Sequence, residues 1–224
     1  MKFGLRFLTG CTVITLLIFW LITITVHGAI TESWLSQHAE VNRQRWTSAT
    51  VTPLARREVG AIVDHGVAGW TRYAAVTKST TVPQSAILVI HNMECGGSWQ
   101  QHLHNGDSLK HRTWEVPAGR PKAGTPPFKW EDSAEDALFF DNMNRVNWGD
   151  IGRTLNALEG YNGWGYAMYH TSTPSPYVCG GTTAARPGKY VRDGVWSTTA
   201  ISDQIGAIAI MKELERRGLL HPTK

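Results

Sequence analysis

Cysteine and charged residues are both scarce in this sequence. Of 224 residues only 3 are Cys, and 18% are charged. Three cysteines are too few for a disulfide scaffold, although Cys95 and Cys179 could pair in an oxidising compartment and leave Cys11 over. The chain is long enough for one globular domain with a hydrophobic core and an N-terminal appendage.

The sequence also lacks internal repeats, low-complexity tracts and any dense block of basic residues. Its net charge of +4 is modest, and its Lys and Arg residues are scattered. This distribution argues against nucleic acid as a partner. It is compatible with an anionic polymer outside the cytoplasm.

Residues 7–26 form an N-terminal stretch that has no charged residue and is rich in Leu, Ile, Val and Thr. Twenty residues form a helix of about 30 Å, which is the thickness of a bilayer core. Lys2 and Arg6 come before it, which places the N-terminus in the cytoplasm and exports the rest. We therefore predict an inner-membrane signal anchor over residues 1–28, with the folded domain in the periplasm or otherwise outside the cytoplasm. Small residues around Gly28 leave cleavage, retention or release of the anchor open.

Apolar spacing predicts a mainly helical chain. Residues 32–70 have a helical pattern with a second helix after Pro53, and Pro83 opens a helix over residues 86–94. Three further helices are predicted: one that follows residues 130–133 and ends at Phe140, one over residues 151–159 before Gly160, and one over residues 198–217 before Gly218. The apolar positions expected to pack on the core from the first two helices are Trp34, Leu35, Val41, Trp46, Leu54, Val59, Ile62 and Val63.

A different pattern, rich in Gly, Pro and Asn, covers residues 95–128. Residues 104–107 are typical of a tight turn, and residues 112–116 could form a strand paired across it. The predicted fold class is therefore α+β and mainly helical, with a small irregular β region. We divide the chain into the anchor, a helical region over residues 29–80 that packs on the core, and a main domain over residues 81–224.

One carboxylate stands at the end of the most apolar predicted helix. Residues 87–90 are all aliphatic, and Glu94 follows at the end of the same helix. A carboxyl group at the tip of a buried helix has a raised pKa and can hold a proton near neutral pH. Glu94 is therefore a candidate general acid, although apolar helices also end in solvated glutamates.

Several ordered motifs together resemble phage and bacterial endolysins of the lysozyme-like superfamily. They are His91-Asn-Met-Glu-Cys, His102-Leu-His-Asn-Gly-Asp-Ser-Leu, Val116-Pro-Ala-Gly-Arg-Pro, Pro126-Pro-Phe-Lys-Trp-Glu-Asp-Ser-Ala, Tyr161-Asn-Gly-Trp-Gly-Tyr and Gly188-Lys-Tyr-Val-Arg-Asp-Gly. Their order is similar to that of goose-type lysozymes and soluble lytic transglycosylases. The resemblance implies a lysozyme-like domain that cleaves the β-1,4 bonds of peptidoglycan strands, as a monomer and without a cofactor or metal.

The resemblance assigns roles only at matching positions. Glu94 corresponds to the family's catalytic acid, with Cys95 in place of the usual Ser, and Tyr161 and Asn162 match a Tyr-Asn pair that lines the sugar cleft. Asp107 stands where goose-type enzymes place a second acid, which could hold an attacking water; its alternative role is a turn cap. Further residues expected to bind substrate are Trp99, His104 and Trp164, with Trp148 and Tyr166 as other flat faces on which sugars could stack. Glu115 and Asp193 are further carboxylates, which we expect to be solvated and not catalytic.

Three alternatives remain open at the level of sequence. Without a second base, Glu94 could assist attack by the sugar's own 6-hydroxyl, which gives the 1,6-anhydro ends of a lytic transglycosylase. His102 and His104, with Asp107 or His91, could instead hold zinc in a cell-wall peptidase. The chain could also be an inactive envelope-binding protein with a lysozyme-like fold.

The resemblance also implies a possible thiol switch. Some phage endolysins have a signal-anchor-release segment, whose release lets a thiol join a rearranged disulfide. By analogy, Cys179 would block Cys95 in the tethered form, and Cys11 would exchange into that bridge on leaving the bilayer. The simpler alternative is three unrelated thiols, with Cys95 a small buried residue.

Overall fold

The computed structural model describes residues 30–192 and 194–220. The predicted anchor over residues 1–28, Cys11 and Asp193 lie outside the described residues. Within the described residues, no helix combines the length and the apolar character needed to cross a membrane.

The described residues form a mainly helical fold with one small sheet. Nine α-helices and one 3₁₀ helix (Met143–Arg145) are present in these residues. The α-helices are α1 (Glu32–Ser48), α2 (Arg56–Ala68), α3 (Trp70–Thr80), α4 (Gln84–Cys95), α5 (Trp130–Phe140), α6 (Ile151–Asn162), α7 (Gly165–Tyr169), α8 (Pro176–Cys179) and α9 (Ala207–Arg216). The strands are β1 (Lys189–Arg192) and β2 (Val195–Ser197). The predicted α+β class, mainly helical with a small β region, is confirmed at this level.

The chain divides into two compact units, residues 1–37 and residues 38–224. In the first unit the structure describes residues 30–37, where α1 begins. The Thr31 hydroxyl accepts a hydrogen bond from the Trp34 N–H at 3.1 Å, which satisfies one of the free donors at the start of the helix. All other elements belong to the second unit.

The core of the second unit is built around α4. Its residues from Ser85 to His91 are all buried, and it contacts α2, α3, α6 and α9. A helix whose consecutive residues are buried on all sides lies at the centre of a domain. Burial of one aliphatic side chain such as Ile87 or Leu88 contributes about 1.5–3 kcal/mol. Because several such side chains are buried, α4 is held firmly in the core, and the residues at its C-terminal end have a fixed position.

A buried polar network joins α1 to α6. The Glu159 carboxylate accepts hydrogen bonds from His38 Nε2 at 2.7 Å and from Asn42 Nδ2 at 3.1 Å. Asn42 also donates to Asn156 Oδ1 at 2.9 Å. Because Glu159 is only 1% exposed, these partners are what allow its carboxylate to be buried, and they hold the end of α6 in place.

Three predicted helix boundaries are wrong. Helix α6 continues through Gly160 to Asn162 and ends at Gly163, because Gly160 serves close packing: a Cβ there would lie 2.7 Å from the Trp164 ring. Helix α5 starts at Trp130 itself. Helix α9 starts only at Ala207, because the preceding residues are tied elsewhere, with the Gly206 N–H donating to the Gly180 carbonyl at 2.9 Å.

The small sheet lies in a different place from the predicted one. Strands β1 and β2 are antiparallel, with Tyr190 opposite Trp196. No strand forms over residues 112–116, and only an isolated bridge joins Gln101 and Ser108 nearby. The physical reason is that the Asp107 carboxylate takes the backbone donors of residues 114 and 115, which a partner strand would otherwise bind.

The predicted core positions in α1 and α2 are confirmed only in part. Val59 and Val63 are buried as expected. Val41 is 41% exposed, and Leu54 is 94% exposed because it precedes the first turn of α2 instead of lying on the inner face of the helix.

Candidate active site

Glu94 lies in the last turn of α4, at the end of the buried helix. Its side chain is partly buried. The Tyr177 hydroxyl, from α8, donates a hydrogen bond to Glu94 Oε1 at 2.9 Å. The predicted acid is therefore held by the fold in a defined position and keeps some access to solvent.

The pKa of Glu94 is raised to about 7. Burial is the main cause, and the negative charge of Asp141 adds to it, whereas the hydrogen bond from Tyr177 lowers the pKa because it favours the carboxylate. A carboxyl group with this pKa is about half protonated at neutral pH. It can therefore deliver a proton under conditions in which an ordinary glutamate is ionised.

Asp141 is the second carboxylate close to this position. It follows the last residue of α5 and is exposed as a whole residue, yet desolvation of its carboxyl group by the surrounding protein raises its pKa to about 6, while Arg120 lowers it. Between these two pKa values, Glu94 is the group that keeps the proton and Asp141 the group that is charged. Two carboxyl groups with separated pKa values are the usual basis for dividing acid and base roles.

Tyr161 lies within electrostatic range of the same two carboxylates. Its hydroxyl donates a hydrogen bond to the Leu103 carbonyl at 2.9 Å and so ties the end of α6 to the loop that follows α4. Burial raises its pKa well above 10, and the charges of Asp141 and Glu94 raise it further. Its hydroxyl is thus a neutral donor in the candidate site.

The two other predicted cleft residues of this segment lie on either side of Gly163. Asn162 is exposed in the last turn of α6, and Trp164 packs on Gly160, with the His38 ring edge-on at 5.8 Å between centroids. The structure therefore places Tyr161 where the charge of Glu94 acts on it. It leaves Asn162 free to meet a ligand from solvent.

Asp107 organises the loop after α4. Its Oδ2 atom accepts hydrogen bonds from Trp114 N at 2.9 Å, Glu115 N at 3.0 Å and Asn105 Nδ2 at 3.0 Å. The turn itself packs against the end of α4, where a Cβ on Gly106 would lie 2.9 Å from the Glu94 carbonyl oxygen. These contacts are those of a turn cap, the alternative that the sequence left open. Glu115 is exposed.

His104 is a buried link between this loop and α5. Its Nε2 atom bonds Asp136 Oδ2 at 2.9 Å, and Asp136 also accepts two hydrogen bonds from Arg120, at 2.8 and 2.9 Å. Burial lowers the pKa of His104 to about 4, against the opposing effect of Asp136. The imidazole is therefore neutral at physiological pH and donates to Asp136. These contacts link the loop to α5, and the predicted role of His104 in substrate binding stays a prediction.

Two histidines of the zinc alternative, His102 and His91, have both ring nitrogens hydrogen-bonded, whereas the buried Nδ1 atom of His104 has no hydrogen-bond partner among the described residues. His102 bonds Ser133 Oγ at 2.6 Å and the His111 carbonyl at 2.7 Å, and His91 bonds Tyr73 Oη at 2.8 Å and the Ser98 carbonyl at 3.0 Å. Nowhere in residues 30–192 and 194–220 do three His, Cys, Asp or Glu side chains come together as a possible metal site. The arrangement gives the zinc hypothesis no ligand set.

The aromatic candidates divide into core residues and a second cluster. Trp99 packs against Tyr73, His91 and Trp130 at centroid distances of 5.2, 4.4 and 4.7 Å, with the Arg72 guanidinium 4.3 Å from its ring. Trp148 is buried and donates to the Met143 carbonyl. Tyr166 contacts a cluster formed by His170 and two residues of the sheet, Tyr190 and Trp196. The contacts of Trp99 and Trp148 are those of core packing.

Cys95 and Cys179 are both free thiols in this structure, so the pairing that the sequence left open is not formed here. The Cys95 thiol donates to the His91 carbonyl of its own helix at 3.3 Å, and Cys179 is fully buried in α8. Burial raises the pKa of Cys95 to about 12 and that of Cys179 to about 11. Both are neutral thiols engaged in packing.

Sequence reasoning missed Tyr177 and Asp141. Nothing in the spacing of the chain connects Tyr177 with a residue 83 positions earlier. Asp141 did carry a signal: like Glu94, it is an acid at the C-terminal end of a helix, where the helix dipole disfavours negative charge. An acid in that unfavourable position can therefore be selected from the sequence as a candidate functional residue.

Comparison of the chain with protein-family models, with curated proteins and with solved structures gives no match. Its function therefore has to be argued from the site itself.

Proposed function

We propose that this protein is a peptidoglycan hydrolase of the endolysin-like muramidase type, with Glu94 as the general acid. The observation that carries the proposal is the Glu94 carboxyl group: it is held by Tyr177 at 2.9 Å, and its pKa is raised to about 7. A glycosidic bond needs a proton on its leaving oxygen, and few carboxyl groups can hold one at neutral pH. The ordered motifs that resemble lysozyme-like endolysins supply the substrate class.

In this proposal Glu94 donates its proton to the oxygen of a β-1,4 bond between amino sugars. The bond from that oxygen to the sugar C1 breaks, its electron pair stays on the protonated oxygen, and positive charge develops at C1. A charged Asp141 stabilises that centre and accepts the proton of a water that attacks C1. Asp141 fits this task better than Asp107, whose Oδ2 already accepts three hydrogen bonds within its loop.

The second candidate is a lytic transglycosylase. The commitment of Asp107 to its turn favours it, because a reaction in which the sugar's 6-hydroxyl attacks C1 needs no separate residue to position water. Glu94 then serves as the acid and takes the hydroxyl proton afterwards. Hydrolysis and transglycosylation thus share Glu94 and differ in the product.

The proposed setting is the cell envelope, with the folded domain outside the cytoplasm and the segment over residues 1–28 as a membrane anchor. Peptidoglycan strands are the proposed partner, and one chain is the proposed active unit. The modest excess of positive charge suits an anionic wall polymer.

Mass spectrometry of purified peptidoglycan digested by the full chain tests the proposal. We expect new reducing ends if water attacks, and 1,6-anhydro ends if the 6-hydroxyl attacks. Glu94→Gln should lower the rate by at least about 100-fold, the low end of a general-acid contribution. Glu115→Gln is the matched control, because its side chain is exposed, and should act like the parent.

Three outcomes would contradict the proposal. Freed peptides lost on addition of EDTA would indicate the zinc peptidase. Binding to peptidoglycan without any product would indicate an inactive envelope-binding protein. Glycan cleavage by Glu94→Gln at the parental rate would remove this residue from the chemistry.

A further inference from the structure

A second surface feature is a groove of about 850 Å³ between α2 and α9. Five cationic side chains line it: Arg56, Arg57, Lys212, Arg216 and Arg217. Only two acids, Asp64 and Glu213, line it with them. The groove therefore has a clear excess of positive charge, in a chain whose basic residues are otherwise scattered.

The two acids are already paired with Arg216, the last residue of α9, and with Arg217, which follows it. Glu213 accepts hydrogen bonds from Arg216 at 2.6 and 2.8 Å and from Arg217 at 2.7 Å. Asp64 accepts one from Arg217. The pairing offsets the charges of Arg216 and Arg217 and leaves Lys212 of α9 out.

Three cations remain without a carboxylate partner among the described residues. Arg56 and Arg57 are exposed in the first turn of α2, and neither forms an ion pair there. The Lys212 ammonium lies 4.4 Å from the centroid of the Trp46 ring. Three cations on one face are available to an external anion.

An exposed leucine precedes Arg56 and Arg57 in the chain. Leu54 is 94% exposed, the most of any large apolar side chain in the described part of the chain, and it comes two residues before Arg56. Pro53 beside it is exposed as well. Binding of a soluble polyanion would leave this apolar side chain in water. A lipid surface instead has phosphates that can bind the cations and an apolar layer that can bury the leucine.

We propose that this face of the domain binds the surface of a membrane that contains anionic phospholipids. Leu54 enters the headgroup layer, and Arg56, Arg57 and Lys212 contact lipid phosphates, to which guanidinium groups bind in a bidentate manner. The contact is separate from the glycan chemistry and does not depend on it. It would hold the folded domain against the bilayer whether or not residues 1–28 also anchor the chain.

Hydrogen exchange of the full chain, read by mass spectrometry at residues 50–60, tests this contact. The readout is local, so it is valid whether or not the N-terminal segment inserts. We expect slower exchange there with vesicles of mixed phosphatidylglycerol and phosphatidylcholine, and none of this protection with phosphatidylcholine alone. High salt should remove the protection, because it screens exposed charges.

The variant Arg56→Gln/Arg57→Gln should raise the lipid concentration at half-protection about 25-fold, since each cation near an anionic surface contributes about fivefold. Both side chains are exposed and without an ion-pair partner in residues 30–192 and 194–220, so the fold should not change. Lys110→Gln/Lys122→Gln removes the same charge from exposed sites in the loop between α4 and α5 and should bind like the parent. Leu54→Ser should weaken binding without loss of thermal stability.

Other results would overturn the inference. Equal protection by neutral vesicles, or an equal loss in the Lys110/Lys122 control, would show that the groove is not the contact. Protection by inorganic polyphosphate as strong as that by vesicles, and unaffected by Leu54→Ser, would show a site for soluble polyanions. Absence of protection in the parent with anionic vesicles would exclude the surface altogether.

Discussion

The Tyr177 hydroxyl lies 2.9 Å from Glu94 Oε1, although 83 residues separate the two in sequence. Burial keeps the Tyr177 pKa well above 10, so the phenol is a neutral donor to the carboxyl group. This bond lowers the pKa of Glu94 while burial raises it. The two effects together leave the pKa of Glu94 at about 7, so the carboxyl group can both donate and regain a proton at neutral pH.

Tyr177→Phe should therefore raise the pKa of Glu94. Loss of a hydrogen bond worth about 1 kcal/mol corresponds to about 0.5–1 pKa unit. If Glu94 is the general acid, the alkaline limb of the pH–rate profile should move up by that amount. Tyr169→Phe, at an exposed position, is the control. A shift to lower pH in the Tyr177 variant would contradict the assigned donor.

Glu94→Gln should change how stability depends on pH. The pKa of Glu94 is raised from 4.5 to about 7 in the folded protein. As the pH rises, the Glu94 carboxyl group therefore ionises at a lower pH in the unfolded chain than in the folded protein. The stability that Glu94 contributes is present below about pH 4.5 and is lost as the pH rises to about 7. The loss is on the order of 2 kcal/mol for a partly buried group.

Denaturant unfolding at pH 5 and pH 8 measures this effect. The parent should lose more stability than Glu94→Gln between the two values, because Gln does not ionise. Identical losses in the two proteins would show that the Glu94 carboxyl group is not held in an unfavourable environment.

The sequence predicted the acid and most helices because both depend on local patterns. An aliphatic run of four residues forces α4 into the core, and Glu94 follows at its end by helical spacing alone. The predicted strand over residues 112–116 failed because a side chain distant in the pattern, Asp107, binds those backbone donors. Sequence alternation cannot show which of two partners a free N–H will choose.

The rest of the candidate site depends on contacts between distant elements. Tyr177 comes from the short helix α8, and Asp141 from the end of α5, and neither position is related to Glu94 by any periodicity. Only the packing of α4 against its neighbours brings them together. Gly160 is a further example. Glycine is typical of the C-terminal end of a helix, but Gly160 lies inside α6, where a side chain would collide with the Trp164 ring.

Asp107→Asn should damage the loop more than the chemistry. An amide in place of the carboxylate weakens hydrogen bonds to two backbone donors and one side chain, at a cost of about 1–3 kcal/mol. We expect a lower melting temperature, with activity within about tenfold of the parent at temperatures where the variant is folded. An activity loss of at least about 100-fold without a change in melting temperature would instead support a catalytic Asp107.

Asp141→Asn should act in the opposite direction to Tyr177→Phe. Removal of a negative charge close to Glu94 lowers the Glu94 pKa, so the alkaline limb of the profile should move to lower pH. If Asp141 also accepts the proton of the attacking water, hydrolysis should fall by at least about 100-fold. Asp132→Asn, exposed in the first turn of α5, is the matched control. Parental rates with an unshifted profile would exclude Asp141 from the site.

The cysteines of the folded domain should react slowly. Burial raises the pKa of Cys95 to about 12 and that of Cys179 to about 11, so almost no thiolate is present at pH 8. Alkylation by iodoacetamide, followed by mass spectrometry, should leave both unmodified in the native protein and modify both in denaturant. Non-reducing peptide mapping of membrane-bound and released protein then tests the thiol switch. The switch requires a Cys95–Cys179 bridge in the bound form and a bridge that contains Cys11 in the released form, whereas free thiols in both forms would leave Cys95 as a packing residue beside the acid.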